Sequence, residues 1–319
     1  HASVGGNMIA GMDTLHTENS VRYPLQCYGL GTAGTEGGAD YRASASPTST
    51  ANGWIYECSR GNPGWENKLV CFSNSVVTSG WRFPKVNVVM DKFCWIDPDA
   101  DPAAYCALMS NLEIHYPQTL FMYLTMPLTT ETAGSQNDQR NDFNRYVRAY
   151  CRTAGKWLLD LADIEAWTEA GVEQTYVSGG VTNQRMAAAY ADDPGGDFHL
   201  NASGRRRAAL GWYALAQALF QTDRDADGVH DGDELLAGTA PANAGDCLQL
   251  DFDAATTPNQ QVVRWPGASN RWYAIQETTS MVAGAVWSNR VTNLPAAAMN
   301  IHTVPVTGAA GFLRLAVEQ

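Results

Sequence analysis

The chain has 319 residues and a mass of 34.6 kDa, enough for two domains with a module between them. Hydrophobic residues make up 45% and aromatics 10%, a globular composition that excludes a disordered chain. A net charge of −12 and a pI near 4.8 repel phosphate backbones and anionic lipid, so nucleic acid and membrane surfaces are poor first expectations as partners, and no apolar run reaches the roughly 20 residues of a bilayer span.

Residues 1–85 are rich in Gly, Ser, Thr and Asn and predict loops around a few short elements. The run 86–90 (VNVVM) predicts a strand buried on both faces. Between Asp101 and Glu113, Tyr105, Leu108, Met109 and Leu112 recur at helical spacing. Residues 119–128 (TLFMYLTMPL) predict a second buried strand, closed by Pro127. Residues 138–152 predict an amphipathic helix with Phe143, Tyr146, Val147, Tyr150 and Cys151 on one face. A third strand is predicted at 157–164 (WLLDLADI) and a long helix at 204–220. Strand and helix in alternation predict an α/β domain on a parallel sheet.

Beyond residue 220 the character changes. Residues 221–246 are dominated by Asp, Gly and Ala, and short strands are predicted at 262–265, 271–277, 285–291, 301–306 and 312–317. Their spacing predicts a small β-sandwich. The expected organisation is an α/β domain at 1–220, a linker at 221–246 and an all-β domain at 247–319.

The seven cysteines, at 27, 58, 71, 94, 106, 151 and 247, contain no CxxC pair, which excludes a zinc ribbon and a thioredoxin-like site. Cys94, in an apolar stretch, reads as a buried core thiol. Cys58 with Cys71 and Cys106 with Cys151 are expected disulfides, although spacing does not fix connectivity. The chain starts at His1 without a signal peptide and reads as a mature exported protein, secreted or on the cell surface, or a trimmed fragment.

The most specific motif is Asp223-Arg-Asp225-Ala-Asp227-Gly228-Val229-His-Asp231-Gly-Asp233-Glu234, which matches the twelve-residue calcium loop D-x-D-x-D-G-x-x-D-x-x-E. Calcium takes six to eight hard oxygen ligands, and this spacing wraps them around one point. Asp223, Asp225 and Asp227 would give carboxylates, Val229 its carbonyl, Asp231 a direct or water-mediated contact, and Glu234 a bidentate closure, with Gly228 permitting the turn. Six acids against one Arg repel one another without a cation. The segment resembles the aspartate-rich calcium linkers of thrombospondin type 3 and dockerin repeats, which implies a rigid, exported spacer; Gly238-Thr239-Ala240-Pro241 stands where G-T-D-P often follows, so the acid of a second site is missing.

A second constellation is Asp197-Phe198-His199-Leu200-Asn201-Ala-Ser-Gly204, placed where a parallel sheet presents chemistry at the carboxyl ends of its strands. A histidine with an acid two residues earlier can act as an oriented general base. Its nucleophile would be Ser3, in His1-Ala-Ser3-Val-Gly5-Gly6-Asn7. These residues resemble the SGNH (GDSL-like) hydrolase superfamily over about residues 1–220, in a divergent bacterial branch whose first block reads H-x-S-V-G. The resemblance implies a three-layer α/β fold, Ser3 as nucleophile, His199 as base with Leu200 and Gly204 matching the rest of the block, and hydrolysis of an ester, often on an acylated polysaccharide or other glycan, through an acyl-serine.

The chain departs from the family pattern at three places. The position three before the histidine is Gly196, with Asp197 at two and Asp193 at six. The G-x-N-D block is replaced by Asp91-Lys92-Phe93-Cys94, which leaves Lys92 or backbone amides near Gly64 as oxyanion donors. The family's first strand would lie upstream of His1; residues preceding His1 supply it, or the site is dismantled, and a strand donated by a second subunit would complete the sheet.

Rival readings are weaker in the residues. Gly29-Leu-Gly31-Thr-Ala-Gly34 fits G-x-G-x-x-G but neither follows a buried strand nor opens a helix. Asp160, Asp163 and Glu165 near a strand end would suit glycoside hydrolysis, or are solvated loop acids. His1 as a mature N-terminus could chelate copper with His16, His115, His199, His230 or His302. A non-catalytic alternative is an extracellular assembly or glycan-binding protein that reuses the hydrolase fold, self-assembling through the β domain or a donated strand, with its 13 Tyr and 10 Trp as contact residues.

Overall fold

The computed structural model of the chain describes residues 3–32, 54–59, 62–78, 87–117, 119–253, 259–268, 271–282, 285–305 and 311–318. It divides into two compact units. The first holds His1–Arg82, Val88–His115 and Leu120–Ala218, and the second holds Phe83–Asn87, Tyr116–Thr119 and Leu219–Gln319. Among the described residues no helix is long and apolar enough to cross a membrane.

The first unit opens with helix α1 (Ser3–Glu18), in a stretch where the residues predict loops around a few short elements. Val4, Met8, Met12 and Leu15 recur at intervals of four and three and are all buried, which is one helical stripe. Gly5, Gly6 and Gly11 depress helix propensity enough to hide it. Helix α2 (Trp65–Thr78) is likewise unforeseen and buries Leu69, Phe72 and Val76. Strands β1 (Gln26–Thr32) and β2 (Trp54–Ser59) lie between them as a parallel pair.

The central sheet is parallel, with β3 (Val88–Met90), β4 (Leu120–Leu124) and β5 (Leu158–Leu159) in that order. Val88 stands beside Leu120, and Tyr123 beside Leu158. Every residue of β4 is buried, which is why its sequence is a continuous apolar run. The crossovers are α3 (Pro102–His115) and α4 (Asn137–Ala154). They pack on each other and on β4, as successive crossovers to neighbouring strands require. The third strand is much shorter than predicted. Asp160 ends it by accepting from the Asp163 amide, which caps helix α5 (Leu161–Ala166).

Two antiparallel hairpins follow, β6 (Thr175–Ser178) with β7 (Val181–Gln184), and β8 (Ala191–Asp193) with β9 (Asp197–Leu200). Asn201 accepts from the Gly204 amide and starts helix α6 (Ala202–Gln221).

In the second unit a short helix α7 (Asp231–Ala237) precedes two antiparallel three-stranded sheets. One orders β10 (Asp251–Asp253), β11 (Gln260–Pro266) and β14 (Met299–Pro305). The other orders β13 (Ser288–Pro295), β12 (Trp272–Thr278) and β15 (Phe312–Glu318). Both sheets contribute to one core of Val263, Trp265, Tyr273, Ile275 and Val304.

The cysteine expectation needs correction. Cys106 and Cys151, on α3 and α4, are both buried free thiols, and burial raises each to about 12. Dense packing between the two helices accommodates them as small apolar groups rather than as a disulfide. Cys94 is buried as expected. Cys71 is buried in α2, while the Cys58 side chain lies outside the described residues.

Candidate functional site

His199 lies in β9, three residues before the start of α6, so a strand and not a loop sets its position. Helix α1, whose first residue is Ser3, packs against this same strand. The His199 ring meets Trp95 edge-on at 6.2 Å, and Trp95 meets Phe198 at 5.4 Å. Trp95 belongs to the loop that leaves the carboxyl end of β3, so the histidine stands at the edge of the parallel sheet where strand ends open.

That loop is firmly held. The Arg140 Nε donates to the Trp95 carbonyl at 2.7 Å. Buried Lys68 pairs with Asp97 at 2.5 Å, and the same Asp97 oxygen accepts from the Cys94 amide at 2.8 Å. The side chains of Ser3 and Asp197 lie outside the described residues. Asp193 stands opposite Asp197 in the hairpin and is exposed, accepting from the Gly195 amide. Lys92 is buried just past β3, close enough to Glu165 for its charge to be felt there. Gly64 precedes α2, where its carbonyl accepts from the Lys68 amide.

The acids near β5 have other tasks. Asp160 takes a two-pronged bond from Arg148, at 2.6 and 2.8 Å, besides capping α5. Asp163 accepts from the Trp167 ring nitrogen and from Gln184. Glu165 is only 2% exposed; one oxygen accepts from the Leu128 amide, while the other has no hydrogen-bond partner. Burial pushes its carboxyl up to about 8, against the pull of Lys92 and Arg140. None of the three is a solvated loop acid.

Sequence reasoning also missed the buried polar stripe Asn137, Arg140, Asn141 and Asn144 on α4. Asn144 brackets Met126 through both backbone groups, and Asn137 holds Thr129. The signal was present as polar residues at i, i+3, i+4 and i+7, which resembles a solvent face until the strand-end loop lies across it.

For the copper reading, His1 lies outside the described residues. His16 and His115 each face a backbone carbonyl at 2.8 Å, of Tyr23 and Asn111, and His230 is exposed before α7.

The acidic loop lies in the second unit. Ligand atoms of Asp223, Asp225 and Asp227 lie within 4.8 Å of one another. Gly228 has φ +95°, and its amide donates to Asp223 at 3.0 Å, closing the turn. The Val229 amide donates to Asp227 at 2.8 Å. Glu234, on α7, is 1% exposed with neither carboxylate oxygen hydrogen-bonded, and one oxygen of each of the three aspartates is buried without a partner too. Burial, then Asp225, Asp227, Asp231 and Asp223, push Glu234 up to about 7. Buried acceptors without donors around one point fit a hard cation. Asp231 stands apart, since its oxygens accept from the Arg224 amide at 2.9 Å and from the Arg224 Nε at 2.5 Å.

No protein-family model matches the chain, and no curated protein matches it. Among solved structures, it is similar to a candidate acylhydrolase from Bacteroides fragilis NCTC 9343, with 14% identity over 52% of this chain and 76% of that one and a TM-score of 0.37. A GDSL-like lipase from Bacteroides thetaiotaomicron VPI-5482 gives 13% identity, 52% and 77% coverage and a TM-score of 0.37. A candidate lipolytic protein of the G-D-S-L family from Desulfitobacterium hafniense DCB-2 gives 7% identity, 51% and 81% coverage and a TM-score of 0.36. These neighbours cover about half of the chain, and at such scores the likeness carries no argument about activity.

Proposed function

We propose that the first unit is a serine acyl hydrolase of the SGNH type, exported and acting on an acylated carbohydrate, with Ser3 as nucleophile and His199 as base. The observation that carries this reading is the packing of α1, which begins at Ser3, against the strand that bears His199. His199 would take the Ser3 hydroxyl proton as the oxygen attacks the acyl carbon, then return it to the leaving alcohol. Water would cleave the acyl-serine by the same exchange. Asp197 would orient the imidazole, and the first amides of α1 would offer donors to a developing oxyanion, with Lys92 and the backbone near Gly64 as further donors.

The second unit would hold calcium through Asp223, Asp225, Asp227, the Val229 carbonyl and Glu234, with Asp231 bracing the loop through Arg224. Bound there, the ion would supply structural cross-linking charge and no step of the reaction.

The test is intact-mass detection of fluorophosphonate labelling on wild type, Ser3→Ala and His199→Ala. One adduct on wild type, absent from the serine variant and at least about 100-fold slower in the histidine variant, is expected. No adduct on folded, calcium-loaded protein removes the esterase reading and leaves the assembly and glycan-binding alternative.

A further inference from the structure

We infer that Arg271 is the positioning residue of the calcium loop: it clamps the carboxyl end of α7 to the sandwich, so that ion and sandwich stabilise each other. The inference rests on the calcium reading above and is independent of the hydrolase reading.

Helix α7 has seven residues, too few to persist alone, so its order comes from what its ends touch. Three of its last four carbonyls are taken. The Glu234 carbonyl accepts from the Gly238 and Thr239 amides, at 2.7 and 2.9 Å. The Leu235 carbonyl accepts from Asn87 Nδ2 at 2.8 Å and from Arg271 Nη2 at 3.0 Å. The Leu236 carbonyl accepts from Arg271 Nε at 2.7 Å. A rigid guanidinium fork thus spans two successive carbonyls at the negative end of the helix, where a cation is favoured.

Arg271 itself is fixed. It is 8% exposed and immediately precedes β12. Its amide donates to Ala268, and its carbonyl accepts from Ala296 at 3.1 Å. The helix end seats so closely that a Cβ on Gly238, at φ +83°, would overlap the Ala268 methyl. At the opposite end a Cβ on Gly232 would overlap the Phe220 ring. Glu234 is therefore delivered to the three aspartates by a helix whose register is set from the sandwich side. A ligand held in place by outer contacts binds its metal more tightly, and linkage makes the effect reciprocal.

The experiment is calorimetric calcium titration of the full chain, wild type against Arg271→Gln, Arg271→Lys and Asn87→Ala, with thermal unfolding in calcium and in chelator. Arg271→Gln is expected to weaken calcium at least about tenfold and to shrink the calcium-induced rise in Tm. Lysine, reaching one carbonyl, is expected to recover part of that loss, and Asn87→Ala to cost less than Arg271→Gln. Should Arg271→Gln fail to fold, the lysine and Asn87 variants carry the comparison. Wild-type affinity in folded Arg271→Gln, or in both other variants, overturns the clamp while leaving the calcium reading intact. A wild-type protein that takes up no calcium overturns that reading first.

Discussion

Glu165 is a buried ionisable side chain of the first unit. It is buried at the end of α5 with one oxygen unpartnered, and its carboxyl is raised from 4.5 to about 8. An acid raised in the folded state binds more protons folded than unfolded, so stability falls as pH rises between the two values. Wild type is expected to lose stability from about pH 4.5 to about 8, at up to roughly 1.4 kcal/mol per pH unit. Glu165→Gln, which keeps an acceptor for the Leu128 amide, should flatten that slope. Urea denaturation of both proteins at pH 5 and pH 8 checks it; parallel slopes would show that Glu165 is not the titrating group.

The elements of the first unit are held by close approaches as well as by apolar stripes. Helix α1 comes so near α6 at Gly11 that an added Cβ would overlap the Arg205 carbonyl, beside the cluster of Met12, Leu15, Leu25 and Ala209. On an exposed helix, Gly→Ala would stabilise by about 1 kcal/mol. Here the overlap is with backbone, which cannot swing aside, and overpacking costs about 1–3 kcal/mol. Gly11→Ala is therefore expected to lower Tm, and a rise in differential scanning calorimetry would refute the packing. Because α1 carries Ser3, the variant should also slow fluorophosphonate labelling.

At the scale of the whole molecule, the acidic segment belongs to the second unit and is not a free tether, since its exit helix is bonded to residues 87 and 271. Calcium at about 100 times its Kd should stabilise that unit by about 2.7 kcal/mol. Chelator should then lower the unfolding temperature monitored by Trp265 and Tyr273, which form the sandwich core. Glu234→Gln should abolish the difference, because it removes a charge from the buried ligand set.

The sequence by itself determined the alternation of the first unit from residue 86 onward, five of the six described strands of the second, and the acidic loop with its glycine. Each is a local pattern: a buried strand needs an unbroken apolar run, and a twelve-residue loop carries its own ligands. The block order of the sequence also proposes Ser3 and His199 as a pair, a reading that the labelling experiment tests. Only the tertiary structure decided the rest. Helix α1 was hidden because glycines that lower propensity are required by its close packing on α6. The third strand ended early because Asp160 finds both the α5 amide and Arg148, twelve residues away. The polar stripe of α4 became buried because a loop from β4 lies over it. Cys106 and Cys151 remained thiols inside a packed interface. The clamp of Arg271 on the end of α7 was invisible because its contact with Leu235 and Leu236 spans some 35 residues. Propensity and spacing report what a segment can do alone, whereas burial and long-range hydrogen bonds choose among those options only once the chain has closed on itself.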